Sequence, residues 1–101
     1  MNADLRIELD GSGPAAVLSV AGEIDLSNVR RFERSLAVAE EDGSVLVIDL
    51  QQVTYMDSAG IAALFSRARR GPVEVVAGPD SVVAPLLRIT RLGDVARIRP
   101  A

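Results

Sequence analysis

The chain has 101 residues, 49% of them hydrophobic and only 3% aromatic, with a net charge of −3. This length fits a single domain spanning 1–101 whose core is filled by aliphatic side chains, and the acidic balance disfavours nucleic acid, whose phosphates require a basic surface. Cysteine, histidine and lysine are all absent, which removes disulfides, thiol nucleophiles, imidazole bases, Schiff-base lysines and ordinary zinc sites.

In chain order, Leu5, Ile7 and Leu9 alternate with Arg6, Glu8 and Asp10, the period of a half-buried strand. Asp10-Gly11-Ser12-Gly13-Pro14 is a turn, and the apolar run Ala15 to Ala21 predicts a second strand, antiparallel to the first because the connection is short. A loop is expected over Gly22-Glu23-Ile24-Asp25-Leu26, with Ser27 or Asn28 capping a helix. Val29, Phe32, Leu36 and Ala39 share one face of that helix, and Glu40-Glu41-Asp42-Gly43 ends it. Val45 to Ile48 suits a central parallel strand covered on both faces. A loop from Asp49 to Asp57 follows, then a helix with Ile61, Leu64, Phe65 and Ala68 in its apolar stripe. Gly71-Pro72 stops this helix, and Val73 to Ala77 forms the next strand. Gly78-Pro79-Asp80-Ser81 opens a third helix carrying Val82, Val83, Leu86 and Leu87, and Val95 to Ile98 forms a last short strand. Helix starts are expected near Asn28, Ser58 and Ser81.

The resulting order, β-β-α-β-α-β-α-β, predicts an α/β fold. Its mixed sheet has four to five strands, an N-terminal antiparallel hairpin and then parallel β-α-β crossovers. In such a sheet the strand-to-helix loops emerge together at the carboxyl ends of the strands, where partners and ligands of open sheets bind. Asp25 and Ser58 therefore become neighbours despite their separation in sequence. The first ten residues hold no apolar signal-peptide core, and no apolar run approaches about 18 residues. A cytoplasmic protein without membrane insertion is expected.

Met56-Asp57-Ser58-Ala59-Gly60-Ile61 starts the second helix. By itself the segment is explained by capping, because Asp and Ser oxygens accept the orphan N–H groups of a helix start. Gly22-Glu23-Ile24-Asp25 precedes it, and Val47-Ile48-Asp49-Leu50-Gln51-Gln52-Val53 stands between the two. With all three stretches in order, the chain resembles the STAS family over roughly residues 5 to 98, and in particular its anti-sigma factor antagonists.

The resemblance implies a protein-binding switch rather than an enzyme. Ser58, the Ser of Asp-Ser-x-Gly, matches the residue phosphorylated by an anti-sigma factor that is also an ATP-dependent Ser kinase. The unphosphorylated form binds that partner and frees the sigma factor. Phosphorylation ends the binding, and a metal-dependent Ser phosphatase resets the switch. The partner surface is expected to comprise Glu23, Asp25, Ser27, Asp57, Ser58, Gly60 and Ile61, with no cofactor.

Two rival readings follow from the same residues. Glu23, Asp25, Asp57 and Asp80 can gather at the strand ends to hold Mg²⁺ for phosphoryl transfer, although the cationic partner usual at such sites, commonly Lys, is missing. Alternatively, a domain of this family can serve as an accessory subunit of a lipid-transport or sensory complex. Asp49 is expected to satisfy loop backbone donors. The groups Arg30, Arg31, Arg34 and Arg67, Arg69, Arg70 are expected on solvated helix faces, and Tyr55 to pack the loop near Ser58.

Overall fold

A computed structural model of the chain describes residues 5–39 and 45–100; the Glu40-Glu41-Asp42-Gly43 segment expected to end the first helix lies outside them. The alternating N-terminal residues form β1 (Leu5–Asp10), with Leu5 buried and Arg6, Glu8 and Asp10 exposed. The turn after it is held by Asp10 Oδ1, which accepts the Ser12 N–H at 3.0 Å and the Ser12 hydroxyl at 2.7 Å. The same bonds stabilise the charged carboxylate and hold Asp10 below its ordinary pKa. β2 (Ala16–Ile24) then runs back antiparallel, with Leu5 opposite Gly22 and Asp10 opposite Val17.

β2 is longer than expected. Gly22, Glu23 and Ile24 belong to the strand, not to a loop, and pair in parallel with β3 (Leu46–Met56). β3 likewise absorbs most of the loop expected after Ile48. Leu46 to Met56 spans two residues more than the Ala16 to Ile24 stretch opposite it, so two register shifts interrupt the pairing. The buried residues of β3 therefore change spacing: Leu46, Ile48 and Leu50 alternate, then Val53 and Met56 follow at intervals of three. An extra residue at each bulge turns the next side chain to the other face, which hides the strand period in the sequence. Gly22 lies at the second shift with φ of 100°, a conformation that L side chains rarely adopt.

The sheet has five strands in the spatial order β1-β2-β3-β4-β5, and every pairing beyond the first is parallel. α1 (Val29–Ala39) packs on β1 and β2, while α2 (Ser58–Ala68) packs on β3 and on α1. Val29, Phe32, Leu36 and Ala39 are the buried face of α1, as their spacing predicts. Phe32, Leu18, Ile24, Ile48, Leu50 and Leu64 are fully buried at the centre of the core. The expectation that the central strand is covered on both faces does not hold. Val47 and Asp49 are only half-buried, and Arg6, Glu8, Ser19, Asp49 and Gln52 help line a groove on the open face.

α2 also sits differently from its predicted stripe. Its buried residues are Gly60, Ile61, Ala63, Leu64 and Arg67, whereas Phe65 and Ala68 are half-buried. Arg67, expected in solvent, is 4% exposed; its Nη1 donates to the Gly71 carbonyl at 3.2 Å, and its Nε has no partner among the described residues. The aliphatic stem is what allows an arginine to be placed there.

β4 (Val73–Val76) leads to α3 (Ala84–Ile89), which begins three residues after the expected Ser81. Pro85 stands in the first turn of that helix. Without an N–H it is tolerated there, where the donor has no helical partner anyway. Val82 lies in the preceding loop, while Ser81 Oγ accepts the Val83 N–H at 3.2 Å. A 3-10 helix (Leu92–Asp94) buries Leu92 completely, and β5 (Arg97–Arg99) ends the sheet two residues later than Val95 suggests. Glu74 on β4 pairs with Arg97 and Arg99 on β5, each at 3.4 Å. No helix among the described residues is long and apolar enough to cross a membrane.

Candidate functional site

The carboxyl ends of β2 and β3 are joined where the Asp57 N–H donates to the Ile24 carbonyl at 3.2 Å. Asp57 follows β3 directly and caps α2 with extended backbone. Its Oδ1 accepts the N–H groups of Ala59 at 2.9 Å and Gly60 at 3.4 Å. Its Oδ2 accepts the Leu26 N–H at 3.2 Å, from a loop 31 residues earlier in the chain. One carboxylate thus neutralises a helix start and ties the β2–α1 loop to it. The first role is readable from residue type; the second depends on where β2 ends.

The tied loop is internally braced. Asp25 Oδ1 accepts the Ser27 N–H at 2.9 Å and also the Ser27 hydroxyl. Asn28 does not cap α1 by bonding forward. Its Oδ1 accepts the Asp25 N–H at 3.0 Å and its Nδ2 donates to the Glu23 carbonyl at 2.9 Å. Asp25 is therefore a turn-forming residue, half-buried at the position where sequence reasoning placed a partner contact.

Ser58 is the first residue of α2 and is exposed, and its hydroxyl has no hydrogen-bond partner among the described residues. Beneath it the helix start rests on the core. A Cβ added at Gly60 would come within 2.6 Å of Met56 Cγ and 3.0 Å of Ile24 Cγ2, so only glycine permits this approach. Among the other residues expected at the surface, Glu23 and Ser27 are exposed, Asp57 is half-buried, and Gly60 and Ile61 are buried. These last two support the surface from below. Tyr55, expected to pack the loop, is half exposed, and Leu26, which sequence reasoning passed over, is 78% exposed. The signal for Leu26 was weak, a single apolar residue between two polar ones.

The carboxylates of the rival metal reading do not gather. Asp57 and Asp25 are turned to backbone donors, and no group of three or more potential ligands stands in a metal-holding arrangement among the described residues. Asp49 accepts the Gln51 N–H at 3.0 Å, the local backbone role expected for it. An apolar groove of about 410 Å³ lies elsewhere, between α3 and β5.

Similarity to known proteins agrees with this architecture. An anti-sigma-B factor antagonist of Listeria monocytogenes is 36% identical over 85 residues, which cover 79% of this chain and 75% of that protein. An anti-sigma factor antagonist from Mycobacterium paratuberculosis has the same fold, with a TM-score of 0.87 at 24% identity over 97% of this chain and 87% of the other. SpoIIAA, an anti-sigma factor antagonist from Bacillus, is similar in its unphosphorylated form, with a TM-score of 0.72 at 18% identity over 92% of this chain and 87% of the other. Its phosphorylated form gives 0.68 at 18% identity, over 92% and 90%. The STAS domain model matches residues 6–101, nearly the whole of the sheet and the helices on it, and the chain belongs to the STAS domain family.

Proposed function

We propose that this STAS domain is an anti-sigma factor antagonist, a regulatory binding protein rather than an enzyme. It binds an anti-sigma factor with Ser kinase activity while Ser58 is unphosphorylated. The observation that carries the reading is the exposed, unpartnered Ser58 hydroxyl at the first position of α2, beside the Asp57 carboxylate. The name of the 36%-identical relative supports it, as does the fold shared with an antagonist known in both phosphorylation states. In the modification step the Ser58 oxygen bonds to the γ-phosphorus of ATP. The bond to the bridging oxygen breaks, ADP leaves, and the hydroxyl proton passes to a base on the kinase. Hydrolysis by a metal-dependent Ser phosphatase restores the hydroxyl. The setting for this exchange is the cytoplasm.

Electrostatics explains how such a switch spares the fold and still ends binding. A phosphate adds about −1.5 to −2 charges at pH 7. The dipole and free N–H groups of a helix start favour an anion by roughly 0.3–1 kcal/mol, up to about 2 when partly buried. A like charge about 4 Å away costs on the order of 4 kcal/mol at an effective dielectric near 20, and Asp57 is the adjacent residue. In the free protein, water screens that repulsion. Under a bound partner screening falls, and a net penalty of about 2.8 kcal/mol weakens binding a hundredfold.

The test is incubation with a recombinant anti-sigma factor Ser kinase from the organism that supplies the chain, with ATP, followed by intact-mass analysis and a binding titration. One phosphate on Ser58, with native circular dichroism and roughly hundredfold weaker binding, is expected. Ser58→Ala should bind constitutively, and Ser58→Glu should bind poorly. An unmodified Ser58, or equal affinity of both forms, overturns the reading.

A further inference from the structure

Leu26 is 78% exposed, a large apolar side chain in a loop otherwise built from Asp25, Ser27 and Asn28. A solitary exposed leucine is ordinary on a protein surface and means little by itself. Two observations set this one apart. First, its backbone is held: the Leu26 N–H donates to Asp57 Oδ2 at 3.2 Å, and the Asp25–Ser27 and Asn28–Glu23 bonds, each 2.9 Å, brace the turn around it. An apolar side chain carried on braced backbone loses little conformational freedom on binding. Second, its placement is specific. β2 and β3 end level with each other, Ile24 opposite Met56, so the loop that carries Leu26 lies beside the start of α2 and its exposed Ser58.

We infer that Leu26 is the apolar anchor of the partner surface, held in place beside Ser58 by Asp57; this rests on the antagonist reading above and names the contact it requires. The partner presents an apolar cleft for Leu26. Because Ser58 must reach the γ-phosphate of ATP in the same complex, that cleft lies next to the kinase's nucleotide. Leu26 therefore governs both affinity and the efficiency with which Ser58 is phosphorylated.

Ile89 is the matched control, equally exposed at 79% but on the last turn of α3. Wild type, Leu26→Ala and Ile89→Ala are titrated against the recombinant Ser kinase, and kcat/KM for Ser58 phosphorylation is measured for each, with melting temperatures as a check on folding. Leu26→Ala should bind at least about tenfold more weakly and lose kcat/KM in parallel, while Ile89→Ala stays within about twofold of wild type. If Leu26→Ala binds like wild type while phosphorylation of Ser58 still abolishes binding, the anchor is wrong and the antagonist reading stands. Equal losses in both variants also overturn the anchor. If wild type itself fails to bind, the antagonist reading falls and the anchor with it.

Discussion

Two helices begin at the same edge of the sheet and do so by different means. α2 starts on Asp57, whose carboxylate accepts two helical N–H groups and a third from Leu26 in a distant loop. α3 starts on Val83, which has no side-chain cap; Ser81 supplies one local bond to the Val83 N–H, and Pro85 stands in the first turn. Both solutions serve a helix end that would otherwise leave donors unsatisfied. Only the first couples the helix to another part of the molecule. A charge placed at Ser58 is felt by a carboxylate that also positions the β2–α1 loop, whereas the hydrogen bonds at the start of α3 among the described residues stay within its own turn.

The contrast can be broken most severely at the two glycines near these helices. Gly60→Val puts a branched side chain against Met56 and Ile24, both buried, and should cost about 3 kcal/mol of unfolding free energy by overpacking. Gly93→Ala, within the 3-10 helix after α3, meets nothing closer than Ile98 Cγ1 at 3.7 Å. It should stay within about 0.5 kcal/mol of wild type. Urea denaturation of both proteins decides this, and equal losses would deny α2 its special seating.

The caps come next in size. Asp57→Ala removes the helix cap and the loop tether together and should cost about 1–2 kcal/mol. Asp57→Asn keeps one acceptor oxygen and puts an NH2 donor in place of the other, so it can retain the helix cap or the Leu26 bond but not both, and should recover only part of the loss. Ser81→Ala should cost about 0.5 kcal/mol, the low end for a cap. Hydrogen exchange at the Leu26 amide sharpens the comparison further: protection there should fall in Asp57→Ala and be unchanged in Ser81→Ala. Unchanged protection in both would mean that the loop braces itself without Asp57.

The smallest effect is expected away from both helices, at the β1–β2 turn. Asp10 is held below its ordinary pKa of 3.8 by Ser12, so its contribution to stability is present above that value and is lost as pH falls through the folded-state value. Ser12→Ala should return the Asp10 titration, followed by NMR, towards 3.8, and should lower the melting temperature slightly at neutral pH and scarcely at acid pH, where Asp10 is protonated in both states. A neutral-pH loss as large as that of Asp57→Ala would show that the turn matters more than its exposure implies.

The element order, the antiparallel hairpin and the parallel crossovers were legible because apolar periodicity survives in β1, β2 and α1. Leu5 and Ile7 alternate, and Val29, Phe32, Leu36 and Ala39 recur at helical spacing. The far half of β3 was not legible. After Leu50 its bulges set Val53 and Met56 three apart, and a strand with that spacing reads as a loop. The start of α3 lies three residues beyond Ser81, because Ser81 and Val82 belong to the turn before the helix and Pro85 to its first turn.

At the site, the sequence by itself determined the chemistry of each part: an Asp suited to capping, a Ser at the helix start and an acidic turn after an early strand. These are local properties, set by side-chain type and by bonds to residues two or three positions away, such as Asp25 to Ser27 and Asp57 to Ala59. Tertiary structure alone decided that Asp57 also holds Leu26, that Gly60 must be glycine beneath Met56 and Ile24, and that Arg67 is buried while Leu26 is not. The reason is physical. A hydrogen bond or a packing contact requires two groups within a few ångströms, and for residues 31 apart in the chain that proximity exists only once β2 and β3 have paired and set their ends side by side.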